Sequence, residues 1–263
     1  DYANKLVSLP NQVFVSALAT ALFPALSQMA AEKNTGQVKN LLMHALRLTA
    51  VFIVPISLGM LILRVPIVGL AFERGAFTPE ATRQTATALG WYGLGLLGIS
   101  FTTLLTKSFY AVQDTKTPVT ISLFSIPLNI VLNIILVGLM GHGGLALGTS
   151  IAVIAQAVAL FVFLRKRLPD KDAQPSLLFT FKVFFASLLM GLAVYVVYLG
   201  ISGLFITDNS LSYAVKLFVP TLLGMVVYFL MCHKLQIGEA KDIIFRIRGL
   251  VHKTSAAKKD GPS

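Results

Sequence analysis

The first thirty residues carry the side chains best suited to binding a charged ligand. Read as one helix, they place polar residues three or four positions apart, so that one face is polar from end to end. An ammonium group flanked by hydroxyls and amides on such a face could bind an anion. The predicted polar face is Asp1, Lys5, Ser8, Gln12, Ser16 and Thr20, with Asn4 and Asn11 beside it, and the predicted apolar face is Leu6, Leu9, Val13, Ala17 and Leu22.

The composition indicates that this helix lies in a membrane. The chain of 263 residues is 56% hydrophobic and only 13% charged, with a mean hydropathy of +0.78, whereas soluble domains carry about 25% charged residues. Apolar runs long enough to cross a bilayer, roughly 20 residues each, recur along the chain. We therefore predict an all-α, polytopic membrane helix bundle with about seven transmembrane helices.

Seven membrane spans and three regions are predicted. Residues 1–164 form a core of five spans, residues 176–232 hold two additional lipid-facing spans, and residues 233–263 form a tail that is amphipathic and then disordered. A short helix and turn follow the second span, and Thr78, Pro79 and Glu80 are typical of a helix start. The predicted spans are 1–29, 41–63, 86–110, 118–139, 144–164, 176–203 and 212–232.

The basic residues predict the orientation. The net charge is +11, but the cations lie in alternate connections and the tail rather than on one basic module, so no nucleic-acid partner is predicted. The positive-inside rule places the richer set of connections and the C-terminus in the cytoplasm. That set contains Lys33, Lys39, Arg47, Lys107, Lys116, Arg165, Lys166, Arg167 and Lys171, followed by the tail.

Polar groups within the spans have two interpretations. A lysine at bilayer depth costs about 2.5 to 3.5 kcal/mol, so Lys5 either reaches the outer surface or pairs with Asp1, or else it faces a cavity and binds an anion. The polar wall beyond it favours the second interpretation. In the fourth span, Ser122, Ser125, Asn129 and Asn133 repeat the pattern, either as hydrogen bonds between helices or as a substrate-facing surface. The four glycines from Gly90 to Gly98 in the third span indicate close helix packing.

No catalytic or metal-binding pattern is present in the sequence. There is no phosphate-binding loop, no nucleophile elbow and no pair of carboxylates within a span. Histidines 44, 142, 233 and 252 lie in connections or near span ends, and Cys232 is predicted to be a core residue. We therefore expect neither an enzyme nor a cofactor.

Several motifs together resemble the C-terminal half of the MurJ/MviN lipid II flippases, in the multidrug/oligosaccharidyl-lipid/polysaccharide exporter superfamily. They are YANKLVSLP, ALATALFPALSQ, LAFERGAFTPEATRQTATAL, FYAVQDTKTPV, NIVLNI and GHGGLALGTS, between residues 2 and about 167. The resemblance implies fourteen helices in two lobes around a cationic cavity. This chain would supply helices eight to fourteen, without the N-terminal lobe. Lys5 matches a cavity arginine of the family, and the last two helices would form a groove for a lipid tail.

The resemblance implies a substrate and a set of contacts. The substrate would be lipid II, the undecaprenyl-diphosphate-linked precursor of the cell wall in the bacterial plasma membrane, with membrane lipids around the protein. Another polysaccharide-lipid exporter, a drug antiporter and a non-transporting scaffold of cell-wall synthesis are the alternatives, and an antiporter would need acidic rather than cationic cavity residues. The predicted substrate-binding residues are Lys5, Ser8, Asn11, Gln12, Ser16, Asn129 and Asn133.

Overall fold

The structure is a computed structural model that describes residues 2–167, 177–203 and 209–238. The first helix is continuous and consists of α1 (Tyr2–Pro10), a π-helical segment (Asn11–Val15) and α2 (Ser16–Ala31). The predicted interfacial helix and disordered tail, His252 and most of the fifth and sixth connections lie outside the described residues. The remaining helices are α3 (Thr35–Ile62), α4 (Arg64–Phe72), α5 (Pro79–Ala111), α6 (Lys116–Met140), α7 (His142–Arg167), α8 (Leu177–Ser202) and α9 (Ser210–Lys234).

Seven helices in the described residues are long and apolar enough to cross a membrane. They coincide with the seven predicted spans, which are confirmed, although most run several residues further at one or both ends. The short α4 is the predicted helix after the second span. At the start of α5, the Thr78 side chain accepts a hydrogen bond from the Ala81 backbone N–H at 3.3 Å, with Pro79 at the first helical position. This predicted helix start is also confirmed.

One cation of the predicted cytoplasmic set lies well inside a helix. Arg47 was counted with the cations of a cytoplasmic connection, but α3 starts at Thr35 and runs to Ile62. Arg47 is therefore 12 residues after the first residue of the helix, about 18 Å along its axis at a rise of roughly 1.5 Å per residue. This depth agrees with the predicted second span, 41–63, which already contained Arg47.

Helix α5 is the centre of the bundle, because it packs against α1, α2, α3, α4 and α7. Its contact with α7 is the most extensive and depends on glycine. A Cβ added at Gly95 would lie 2.9 Å from Ser150 Cα, and one added at Gly98 would lie 3.0 Å from Ile154 Cα. The close approach lets the Ser150 hydroxyl donate to the Trp91 carbonyl at 2.8 Å. The prediction of glycine-mediated packing is confirmed.

Helix α6 packs mainly against α7. The Gln156 amide donates to the Ser122 hydroxyl at 3.0 Å, and the Ser125 hydroxyl lies 3.5 Å from the Ala152 carbonyl. The Asn133 amide donates to Asn129 Oδ1 at 3.0 Å on the same face. The polar stripe of the fourth span therefore lies along the α7 contact, while much of the rest of α6 is exposed and apolar.

The last two spans pack against each other, with α8 on α3 and α9 on α4. The Tyr228 hydroxyl donates to the Val51 carbonyl at 2.6 Å, which ties α9 to α3. Cys232 is fully buried, so its prediction as a core residue is confirmed. Both helices also carry exposed apolar side chains, among them Phe181, Phe184, Phe218 and Leu222.

The connection between α5 and α6 is stabilised by Asp114. Its carboxylate accepts from the Thr117 backbone N–H at 3.0 Å and from the Thr117 hydroxyl at 2.7 Å, and it pairs with Arg167 at 3.0 Å. Burial by itself raises the pKa of the Asp114 carboxyl. The hydrogen bonds from Thr117 and the nearby Arg167 guanidinium outweigh that effect, so the pKa lies below its usual value.

We expect Asp114→Ala to destabilise the full-length protein by about 1 kcal/mol, because it removes the carboxylate that caps the start of α6. Arg167→Ala is the matched comparison and should cost less, since the Arg167 side chain is 62% exposed. A lowered pKa contributes stability that is lost as pH falls, so the Asp114 effect should shrink below about pH 4. Thermal unfolding in detergent measures the destabilisation by each variant. Equal destabilisation by Asp114→Ala and Arg167→Ala would contradict the capping role.

Candidate functional site

The first helix contains a π-helical segment that sets which of its side chains are buried. Pro10 has no N–H to donate to the preceding turn, and the Ser16 N–H bonds to the Asn11 carbonyl five residues back. The wider turn keeps side chains four residues apart on one face. The buried series is Ala3, Val7, Asn11, Val15 and Ala19, and this face packs against α5.

The predicted apolar face of this helix is wrong in part. Leu9 is 52% exposed and Val13 is 75% exposed, and Ala17 is exposed with them. These residues follow Lys5 at intervals of four and lie on its side of the helix. At 3.6 residues per turn Leu9 already lies about 40° from Lys5, so its assignment to the opposite face was wrong. The π-helical segment after it then keeps Val13 and Ala17 on the same side.

The predicted ligand-binding residues of the first helix differ in how far they are exposed. Lys5 and Gln12 are exposed, and Ser8 and Ser16 are half-buried at the edge of the exposed face. The Ser8 hydroxyl donates to the Lys5 carbonyl at 2.8 Å, and the Lys5 ammonium lies 5.8 Å from the centre of the Tyr2 ring. Lys5 therefore presents its charge on an open, mostly apolar helix surface.

Asn11 belongs to the buried face instead. Its amide donates to the Thr103 hydroxyl of α5 at 3.3 Å, and its Oδ1 has no hydrogen-bond partner within the described residues. Asn129 and Asn133 lie on α6 along the α7 contact. The structure thus brings Lys5, Ser8, Gln12 and Ser16 together on or beside one surface.

An aromatic cluster beside Lys5 was not found from the sequence. The Tyr2 ring lies 4.9 Å from the ring of Phe72, the last residue of α4, and 5.7 Å from the ring of Phe77, which lies between α4 and α5. Arg74 lines a cavity of about 400 Å³ with these three residues. Phe72 and Phe77 are seventy residues or more from Tyr2 in the chain. No local spacing could therefore have indicated this cluster or Arg74, the second cation beside it.

An apolar cavity of about 420 Å³ lies between α3, α4, α8 and α9. Its walls include Pro55 and Gly59 of α3, Met190 of α8 and Gly224 of α9. An apolar cleft beside exposed apolar helices is suited to a hydrocarbon chain rather than a polar ligand. No group of three or more potential metal ligands occurs in the ranges the structure describes.

The fold and these surfaces define a multi-pass, all-α membrane protein with the architecture of a transporter lobe. A family model described as "Lipid II flippase MurJ" matches residues 1–215. The chain therefore belongs to the MurJ lipid II flippase family. Peptidoglycan and cell-wall roles are those of this family.

Individual relatives agree with the assignment. The chain is 36% identical over 151 residues to a probable lipid II flippase MurJ of Rickettsia prowazekii, which covers 57% of this chain and 30% of the relative. It is 32% identical over 245 residues to a probable lipid II flippase MurJ of Thermotoga maritima. That match covers 93% of this chain and 47% of the relative. A solved structure of lipid II flippase MurJ in an inward closed conformation matches with a TM-score of 0.73 and 28% identity. The match covers 92% of this chain and 47% of the chain in that structure. The chain thus spans about a third to a half of these relatives.

We expect a double-mutant cycle of Asn11→Ala and Thr103→Val to give a coupling energy of about 0.6 kcal/mol, the mean for hydrogen bonds between membrane helices. The cycle is measured on the full-length protein by unfolding in mixed detergent. Ser8→Ala with Thr103→Val is the matched control and should give no coupling, because Ser8 bonds within its own helix. Coupling near zero for the Asn11 pair would contradict the contact with α5.

Proposed function

We propose that this chain is the C-terminal part of a lipid II flippase, in which an N-terminal lobe completes a central cavity. The full protein would move the undecaprenyl-diphosphate-linked disaccharide-pentapeptide across the bacterial plasma membrane by alternating access. The observation that carries the proposal is the Lys5 side chain, which is exposed on a membrane-spanning helix. A cation in such a position is costly unless it faces water or an anion.

The role proposed for Lys5 is to offset the desolvation of the substrate's phosphates. A diphosphate leaving water for a low-dielectric passage loses its hydration, and a fixed ammonium nearby replaces part of it. The family has arginine at the position that Lys5 matches. Lysine keeps the charge but binds as a point charge, without the two-pronged geometry of a guanidinium. No covalent bond is made or broken, so the protein acts as a transporter and not as an enzyme.

The other residues would contact different parts of the substrate. Ser8, Gln12 and Ser16 would contact the polar head group from the same side of the helix. The polyprenyl tail would stay in the apolar cavity between α3, α4, α8 and α9. Asn11, Asn129 and Asn133 would contribute by holding α1, α6 and α7 in place, since their observed contacts are with other helices or within α6.

The proposed orientation places the C-terminus in the cytoplasm of an inner membrane. The connections Glu32–Asn34 and Val112–Thr115 and the end of α7 would be cytoplasmic, and the start of α7 would be outside. The distribution of lysine and arginine supports this arrangement. The membrane potential, worth roughly 2.3 kcal/mol per charge per 100 mV, is then available to drive the transfer of a charged head group.

Lys5→Ala in the full-length protein should abolish complementation of a flippase-depleted strain, because the passage loses its cation. Lys5→Arg should restore growth, since the charge is kept. Lys33→Ala is the matched control, an exposed lysine in the turn after α2, and should grow normally. Normal growth of the Lys5→Ala variant at wild-type expression would contradict the proposal.

Cysteine labelling tests the orientation. In a Cys232→Ser background, a membrane-impermeant maleimide added to intact cells whose outer membrane has been permeabilised should label His142→Cys but not Lys33→Cys. Both positions are exposed, so any difference reports the side of the membrane. Labelling of Lys33→Cys alone would reverse the orientation.

A further inference from the structure

A second cavity contains an arginine within the membrane region. It has a volume of about 380 Å³ and lies between α3, α5, α7 and α8, and none of its lining residues belongs to α1 or α2. It is therefore separate from the Lys5 surface and from the cavity between α3, α4, α8 and α9. Arg47 is its charged residue, and the apolar walls include Leu46, Phe101, Ile154, Phe161 and Phe179.

The cavity opens between two helices that scarcely pack against each other. Among the described residues, α8 packs extensively only on α3 and α9, while α7 packs on α5 and α6. The gap between α7 and α8 gives the cavity a lateral path toward the surrounding bilayer. A volume of this size is within the range of pockets that bind small ligands, about 300 to 1,000 Å³.

Arg47 is placed to meet a ligand at one end of this cavity. Its guanidinium lies 5.5 Å from the centre of the Phe179 ring at the start of α8. Side chains on a helix lean toward its N-terminus, which for α3 is the end near Thr35. The guanidinium therefore extends from the apolar interior toward the head-group region, and its planar donors suit a phosphate.

Further cations lie at this end of the bundle, where Arg167 is also paired with Asp114. Lys39 precedes Arg47 by two turns on α3, and α7 ends in Arg165, Lys166 and Arg167 at this end of the bundle. Clusters of basic residues where helices meet the cytoplasmic surface attract anionic lipid head groups. An apolar cleft with an arginine at its head-group end and further cations on α3 and α7 matches a lipid with an acyl chain next to a phosphate.

We infer that this cavity binds one anionic glycerophospholipid of the surrounding leaflet. Its phosphate would contact Arg47, and one acyl chain would lie in the cavity between α7 and α8. The bound lipid would fill the gap that these two helices leave. This lipid is a resident ligand, separate from any transported substrate.

Native mass spectrometry of the full-length protein in detergent tests the inference, with phosphatidylglycerol and phosphatidylcholine of identical acyl chains as the probes. We expect phosphatidylglycerol to bind at least tenfold more tightly than phosphatidylcholine, and Arg47→Gln to remove most of that preference. Arg83→Gln is the matched control, an exposed arginine near the start of α5 that does not line the cavity, and should bind both lipids as the wild type does.

A second variant separates the acyl-chain site from the charge. Ala50→Phe places a ring in the cavity, because Ala50 lines it, and should weaken binding of both lipids while Arg47 is intact. Thermal unfolding confirms that each variant is folded, and a variant that unfolds is replaced by Arg47→Met or Ala50→Leu. Unchanged phosphatidylglycerol binding by folded Arg47 and Ala50 variants, or equal binding of the two lipids by the wild type, would overturn the inference.

Discussion

The close contact between α5 and α7 is the constraint on which the rest of the bundle depends. Lipid is as apolar as the helix surfaces, so packing in a membrane relies on close backbone approach and on hydrogen bonds. Gly95 and Gly98 allow that approach, and the Ser150 hydroxyl bonds to the α5 backbone because of it. Helix α7 packs on one side of α5, and α1, α3 and α4 pack on its other sides. The exposure of Lys5 follows, since the opposite face of its helix packs against α5.

Polar residues in these spans fall into two groups, those at contacts between helices and those on an open surface or in a cavity. Asn11, Asn133 and Gln156 lie at helix contacts or bond across them, where each hydrogen bond contributes about 1 kcal/mol or less. Lys5 and Gln12 lie on an open surface, and Arg47 lines a cavity. A side chain on an open surface can meet a ligand without breaking a contact between helices.

Sequence patterns predicted the parts of the structure that depend on neighbouring residues. Span number follows from the length of apolar runs, and the start of α5 follows from the order of Thr78, Pro79 and Glu80. The exposure of Val13 and Ala17 was not predictable, because composition does not record the wider turn of the π-helical segment. Contacts such as Asn11 with Thr103, 92 residues apart in the chain, depend on tertiary packing, and so does the position of Arg47 within a cavity.

The Lys5 surface and the apolar cavity of the last two spans are connected through α4. At the end of α4, the Glu73 carboxylate accepts hydrogen bonds from Thr82 at 2.5 Å and from the Tyr213 hydroxyl at 3.0 Å, which joins α5 and α9. The neighbouring Phe72 ring contacts Tyr2 at the start of α1. In a flippase, a displacement of α1 on opening of the cavity would move α4 and with it α9. The head-group site and the tail site would then shift together, which a lipid bound at both requires.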